Sequence, residues 1–186
     1  ATVTPSVALP DATWIWLRAR LQLFNGANSV GTLDTAADTG SNSVLPVSWT
    51  ANGSATGIAL ASCFSSTSPV EIGSFATGTL ERFAGKVGRC IVRDGFDGRT
   101  VADFNASDCY GPGFLNQGSL PTDGGGARYV PLRGVSGDYV WTADKAALRI
   151  TGDIEIAADI APDSWSSGAA QAIAGKWTAA PNLAYQ

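Results

Sequence analysis

The chain has 186 residues, a formal net charge of −4, 15% charged residues and no histidine. That length can bury a sizeable core. The acidic balance, without a Lys/Arg cluster, excludes a phosphate-neutralising nucleic-acid surface, and no apolar run approaches the ~20 residues of a membrane-spanning helix.

The 22 glycines and 9 prolines separate short runs of Val, Ile, Thr and Trp, which predicts an all-β chain with many turns. Residues 1–12 are Pro- and Thr-rich and expected to be extended. Residues 13–24, TWIWLRARLQLF, alternate strictly. Ile15, Leu17, Ala19, Leu21 and Leu23 share one face of a predicted strand, and Trp14, Trp16, Arg18, Arg20 and Gln22 share the other. Asn25-Gly26 marks a turn. Strands are predicted over 29–39 and over 43–50, centred on Val47-Ser48-Trp49, with a polar loop over 34–43. A small polar turn is predicted over 51–57, a short edge strand over 58–62, and a strand over 70–74 ending at Gly73.

Residues 81–104 read ERFAGKVGRCIVRDGFDGRTVADF. Two strand-like runs, 85–93 and 99–104, flank Asp94-Gly95-Phe96-Asp97-Gly98. Its two Asp-Gly pairs supply the positive φ of a tight reversal, so a β-hairpin is predicted. Gly111-Pro112-Gly113 and Gly124-Gly125-Gly126 then mark a linker. Strands are expected over 127–132, 139–141, 149–160 and 172–177, with a short helical turn over 142–148 and a further segment beginning at Pro181. In RITGDIEIAADI, Ile150, Ile154, Ile156, Ala158 and Ile160 share a face, Gly152 is the corner, and Pro162-Asp163 closes the run. Trp165 and Trp177 are expected in or near the core.

The hairpin wording resembles the closing segment of concanavalin A-like (laminin G-like) sandwich domains, in which F-x-G-x-(I/V) precedes R-D-G-x-x-G-x-x-V-A-D-F. Residues 126–185, from GARYVPLRGVSGDYVWT to AIAGKW, resemble the opening strands of the same family. The wording is most similar to lectin-like domains in minor tail proteins of phages that infect actinobacteria. The resemblance implies a jelly-roll β-sandwich with its halves in swapped order: 1–108 as the second half, 109–125 as linker and 126–186 as the first half. A half-sandwich leaves an apolar face and sheet edges exposed, so each half needs a partner. One joined domain, a window cut from tandem domains, and strands shared between neighbouring copies all satisfy that need, and the length favours the joined domain.

The chemistry is narrow. Without histidine, no Ser-His-Asp or Cys-His relay forms, and the usual zinc ligand sets are incomplete. Cys63, Cys90 and Cys109 match no zinc spacing and read as buried small hydrophobes, with a Cys90–Cys109 or Cys63–Cys109 disulfide left open. Asp153, Glu155 and Asp159 fall on one face of a strand. Carboxylates at i and i+2 lie ~6–7 Å apart, within reach of a two-carboxylate glycosidase mechanism. Their order departs from the glycosidase pattern, and a solvent-facing strand explains them as well. Asp94, Asp97 and Asp103 could attract Ca²⁺, but turn chemistry accounts for the two loop aspartates, so no metal and no cofactor is expected. Sugar binding would rest on Trp14, Trp16 and Trp49 as a stacking platform bordered by Arg18 and Arg20, if that sheet face is open.

Together these features lead to the expectation of a non-enzymatic structural and recognition module on the surface of a phage particle, oligomeric within it. Its expected partners are other virion proteins and a host cell-surface glycan, with no nucleic acid and no membrane insertion. A purely architectural capsid or tail decoration domain and a glycoside hydrolase are the alternatives.

Overall fold

The computed structural model describes residues 3, 5–23, 29–38, 44–58, 66–108, 129–137, 139–165, 170–177 and 183–185. Within them the regular structure is almost all antiparallel strand, with two short 3-10 turns at Ala106–Asp108 and Ala146–Leu148. The first part supplies β1 (Ile15–Gln22), β2 (Ser29–Ala37), β3 (Thr50–Ile58), β4 (Val70–Ile72), β5 (Ala84–Asp94) and β6 (Arg99–Asn105). The second part supplies β7 (Val130–Arg133), β8 (Val140–Thr142), β9 (Ile154–Pro162), β10 (Ala174–Trp177) and β11 (Leu183–Tyr185). The linker expected over 109–125 lies outside the described residues.

Two sheets form. The larger runs β3-β2-β1-β9-β5-β6, with β7 also paired to β5; the smaller runs β11-β10-β4-β8. In each sheet, strands from one part of the chain sit between strands from the other. β9 lies between β1 and β5, and β4 lies between β10 and β8.

The two-residue period of a strand decides what lies between the sheets. Leu17, Val87, Cys90, Ala158 and Ile160 of the large sheet meet Ile72, Val140 and Ala174 of the small one in the main core. Val70, Val92, Leu148, Ile150 and Ile154 form a second cluster beside it. Val87, Val130 and Ile160 are fully buried, each contributing ~1.5–3 kcal/mol from removal of apolar surface from water. Trp165 packs against the main core as expected, and its indole N–H donates to the Pro10 carbonyl at 3.0 Å. That bond ties down the extended N-terminal stretch. The side chain of Trp177 lies outside the description.

The hairpin forms as predicted, and its turn divides the work between residues. Gly95 carries φ +85°, and Asp97, not its neighbouring glycine, takes φ +50°. Gly98 is required for space, since a Cβ there would sit 2.0 Å from the Asp94 carbonyl oxygen.

Three of these strand and turn expectations are corrected. The strand predicted around Val47-Ser48-Trp49 is a non-strand crossing in which Val47 is fully exposed. The turn predicted over 51–57 is instead most of β3. Small and polar residues suffice there because β3 pairs through its backbone with β2, from Thr35 opposite Thr50 to Ser29 opposite Ile58. Asn52 occupies the irregularity between the Leu33 and Asp34 pairings and anchors the N-terminal stretch. Its Oδ1 accepts from the Val7 amide at 2.7 Å, and its backbone carbonyl accepts from the Ser6 amide at 2.7 Å. The strand predicted from Arg149 begins only at Ile154. Just before it, the Asp153 carboxylate accepts from the Leu23 amide at 2.7 Å, and the Asp153 carbonyl accepts from the Gly95 amide at 2.8 Å. The edge strand predicted over 58–62 falls outside the described residues beyond Ile58.

Candidate functional site

The face of the large sheet turned away from the core is where the chemistry collects. Strand register lays its residues in rows. Arg18 stands between Asp34 of β2 and Ala157 of β9, with Ile91 of β5 next in line. One row away, Arg20 stands between Thr32 and Glu155, and Glu155 is opposite Arg93. In the row on the other side of Arg18, Trp16 is opposite Asp159, which is opposite Arg89.

Trp16 is only 1% exposed. With Ile91 and Ala157 it forms a small apolar cluster on this face, flanked by Ala36 of β2 and packed against Leu45 and Trp49 of the crossing. The Trp49 ring meets Trp16 edge-on at 6.4 Å and covers the Arg18 guanidinium at 4.3 Å, a favourable cation–π geometry. The crossing from Val44 to Trp49 therefore acts as a lid. It takes Trp16 out of reach of any ligand and leaves the indole N–H buried without a hydrogen-bond partner. Trp14 lies apart, half-buried and edge-on to Tyr129 at 5.9 Å. Of the five expected binding residues, Trp16, Arg18 and Trp49 come together as one packed unit. Arg20 joins a separate ionic cluster, and Trp14 stands at another corner.

The ionic cluster is built on Glu155. Its Oε2 accepts from Arg20 Nε at 2.7 Å, and its Oε1 accepts from Arg93 Nη1 at 3.1 Å. The hairpin tip closes over this pair. Asp97 reaches Arg20 at 3.1 Å and Arg93 at 3.4 Å, and the Phe96 ring lies 5.1 Å from the Arg20 guanidinium carbon. Glu155 is 1% exposed and Asp159 is 2% exposed, which corrects the reading of these acids as a solvent face. A carboxylate with both oxygens held by guanidinium groups has the geometry of a structural ion triad. Asp103 is held by Arg89 through two bonds of 2.9 and 2.7 Å. Each hairpin aspartate thus faces a cation of the chain, with Asp94 loosely paired to Arg99 at 3.9 Å. Among the described residues no cluster of ligating side chains suited to a metal ion is found.

Sequence reasoning placed Asp34 in a polar loop. It lies within β2, and Arg18 donates to its Oδ2 through Nε at 2.9 Å and Nη2 at 2.7 Å. The sequence signal was incomplete: a two-residue Asn25-Gly26 tip would set Arg18 opposite Leu33, and only the actual register brings Arg18 opposite Asp34. Two further polar sites were missed. Glu71, 4% exposed, accepts from the amides of Thr77 at 2.9 Å and Gly78 at 3.3 Å. These successive N–H groups form an anion-holding turn in which Ala76 and Thr77 take positive φ. Lys176, fully buried, donates to Asp144 and to the Leu148 carbonyl. Arg149 also donates to Asp144, at 2.7 and 2.9 Å, and together these hydrogen bonds hold the Asp144 carboxyl below its ordinary value.

Cys90 is a free, buried thiol in the main core. Burial, with the nearby charge of Asp103, pushes it up to about 12. It fits the reading of a small hydrophobe. Cys63 and Cys109 lie outside the described residues.

Comparisons with protein-family models, with curated proteins and with solved structures find no match for this chain. The arrangement is a two-sheet β scaffold whose outer face carries interlocked aromatic, guanidinium and carboxylate groups. Among the described residues no helix is long and apolar enough to cross a membrane.

Proposed function

We propose that this chain is a non-enzymatic recognition module of the minor tail protein type, carried on a phage particle and contacting a host-surface glycan. In this reading its two parts complete one concanavalin A-like jelly roll in swapped order. The support for the joined sandwich is the interleaving of β9 between β1 and β5 and of β4 between β10 and β8. Support for recognition over catalysis is one observation: both oxygens of Glu155, the central acid of the Asp153–Asp159 run, are held by Arg20 and Arg93. A general acid or nucleophile needs an oxygen that can reach substrate.

Saccharides are held by aromatic faces together with fixed polar groups. Half-buried Trp14 and Trp49 remain as the aromatic candidates, while Trp16 and Arg18 pack under Trp49 and Arg20 belongs to the Glu155 cluster. A glycan array probed with the labelled chain tests the reading. Saturable binding to a defined set of glycans is the expected result. Absence of binding to any glycan, together with retained association with other virion proteins, would favour the architectural alternative instead.

A further inference from the structure

The outer face of the large sheet contains a cleft of about 440 Å³ lined by Ser6, Thr32, Asp34, Ala51, Gly53 and Ser54. It lies at the β2–β3 edge, where Ala51 pairs with Asp34 and Ser54 with Thr32. The geometry points to this cleft as a binding site for a neutral, polyhydroxylated ligand, a non-acidic sugar residue; the inference rests on the glycan-recognition reading above and gives it a place and a substrate class.

Three observations carry it. First, Asp34 is 8% exposed, and its carboxylate is pre-oriented from one side only. Both Arg18 bonds go to Oδ2, and among the described residues no donor reaches Oδ1. An oriented, partly desolvated carboxylate oxygen accepts strongly from a hydroxyl. Second, the rest of the lining suits hydroxyl partners. Thr32 and Ser54 offer hydroxyls that both donate and accept, Ser6, whose hydroxyl donates to Asn52 Oδ1 at 3.2 Å, still accepts, and Gly53 and Ala51 leave room for a ring to approach the backbone. Third, the cleft offers no unneutralised cation. Arg18 is paired with Asp34 and capped by Trp49 at 4.3 Å, so its charge is already spent and an acidic sugar, sulfate or phosphate would find no spare cation and the near face of a carboxylate.

The test is a ¹⁵N-labelled chain titrated with the methyl glycosides of glucose, mannose, galactose and rhamnose, and with N-acetylneuraminic acid as the anionic comparator. Saturable shifts of the Thr32, Asp34, Gly53 and Ser54 amides with at least one neutral glycoside, and none with the acid, are expected. Ser54→Trp, at an exposed position of the edge strand, should fill the cleft and weaken that binding at least tenfold. Resonances of the main core, unchanged in the variant, report that the fold is kept. Sugar binding on an array that Ser54→Trp leaves intact, with shifts only around Trp14 or Trp49, would overturn the cleft and leave glycan recognition standing. Preference for the acidic sugar would overturn the substrate class. No binding to any glycoside or array glycan would overturn both readings together.

Discussion

Replacing Glu155 by Gln is the most direct probe of the ionic cluster, because it keeps the shape and removes the charge. Glu155 is 1% exposed, and its two bonds hold Arg20 and Arg93, whose side chains are each 18% exposed. Removing one member of a buried ion group costs ~3–5 kcal/mol, because the remaining charges stay desolvated. Water reaches the arginines in part, and Asp97 still touches both at 3.1 and 3.4 Å, so the lower end, about 3 kcal/mol, is expected. With a urea m-value of ~2 kcal/mol per molar, the unfolding midpoint should fall by ~1.5 M. Urea titration followed by tryptophan fluorescence measures it. A fall of less than ~0.5 M would place the cluster with exposed surface pairs and refute the argument. A second arm separates charge from packing. Arg20→Met/Glu155→Leu/Arg93→Met removes all three charges together and should cost less than Glu155→Gln alone, because no buried charge is left unpaired.

Other outcomes follow from the same geometry. Trp16→Ala should destabilise by ~3–5 kcal/mol as a core deletion, whereas Trp141→Ala, at a residue 57% exposed, should change stability by no more than ~0.5 kcal/mol; thermal melts of the two variants compare them. Gly98→Ala should lower the melting temperature more than Gly95→Ala, since an added Cβ at Gly98 lies 2.0 Å from the Asp94 carbonyl oxygen, whereas at Gly95 it meets nothing within 4 Å and costs only the strain of φ +85°. Equal shifts would contradict that assignment of the turn. Alkylation of the native chain at about pH 8, followed by peptide mass analysis, should leave Cys90 unmodified while its thiol stays near 12, and should label it after denaturation. The lowered Asp144 carboxyl contributes stability that is present above its ordinary value of 3.8 and lost as pH falls through the lower folded value. The stability difference between the native chain and Asp144→Asn should therefore hold at neutral pH and close in acid, as read from urea midpoints across pH.

Alternation and turn chemistry carried most of the fold. The period of Ile15–Leu23 put Ile15, Leu17, Leu21 and Leu23 on the inward face of β1, with Ala19 left exposed, and the Asp-Gly pairs located the hairpin between β5 and β6. The inward face of β9 was also legible, because the alternating apolar positions Ile154, Ile156, Ala158 and Ile160 have only one burial solution. β3 was not legible. TANGSATGI has no apolar alternation, and its strand state comes from pairing with β2, a tertiary contact that local propensity does not encode. The outer face was read in part. Its members Trp16, Arg18 and Arg20 were identified, but an open platform was expected where Leu45 and Trp49 form a lid. Which segment folds back over a sheet depends on a crossing of irregular backbone, and that leaves no period in the sequence. Asp34 and Glu155 became visible as ion partners only through cross-strand register. Arg20 and Glu155 stand 135 residues apart, beyond the reach of any local window.

The interleaved strands have a consequence in time. Until residues 154–162 have been synthesised, β1 and β5 have no strand between them, and the guanidinium groups of Arg20 and Arg93 have no Glu155 to close on. Folding must wait for a distant segment, so closure of a long loop precedes most of the stabilising contacts. Such topologies form slowly, with strand edges open in the meantime. During synthesis the earlier strands are thus a vacant template, and β9 is the last piece that locks them. A separate peptide carrying residues 154–162 should compete for that slot if it is present while the chain refolds, and should be excluded once the native sheet has formed.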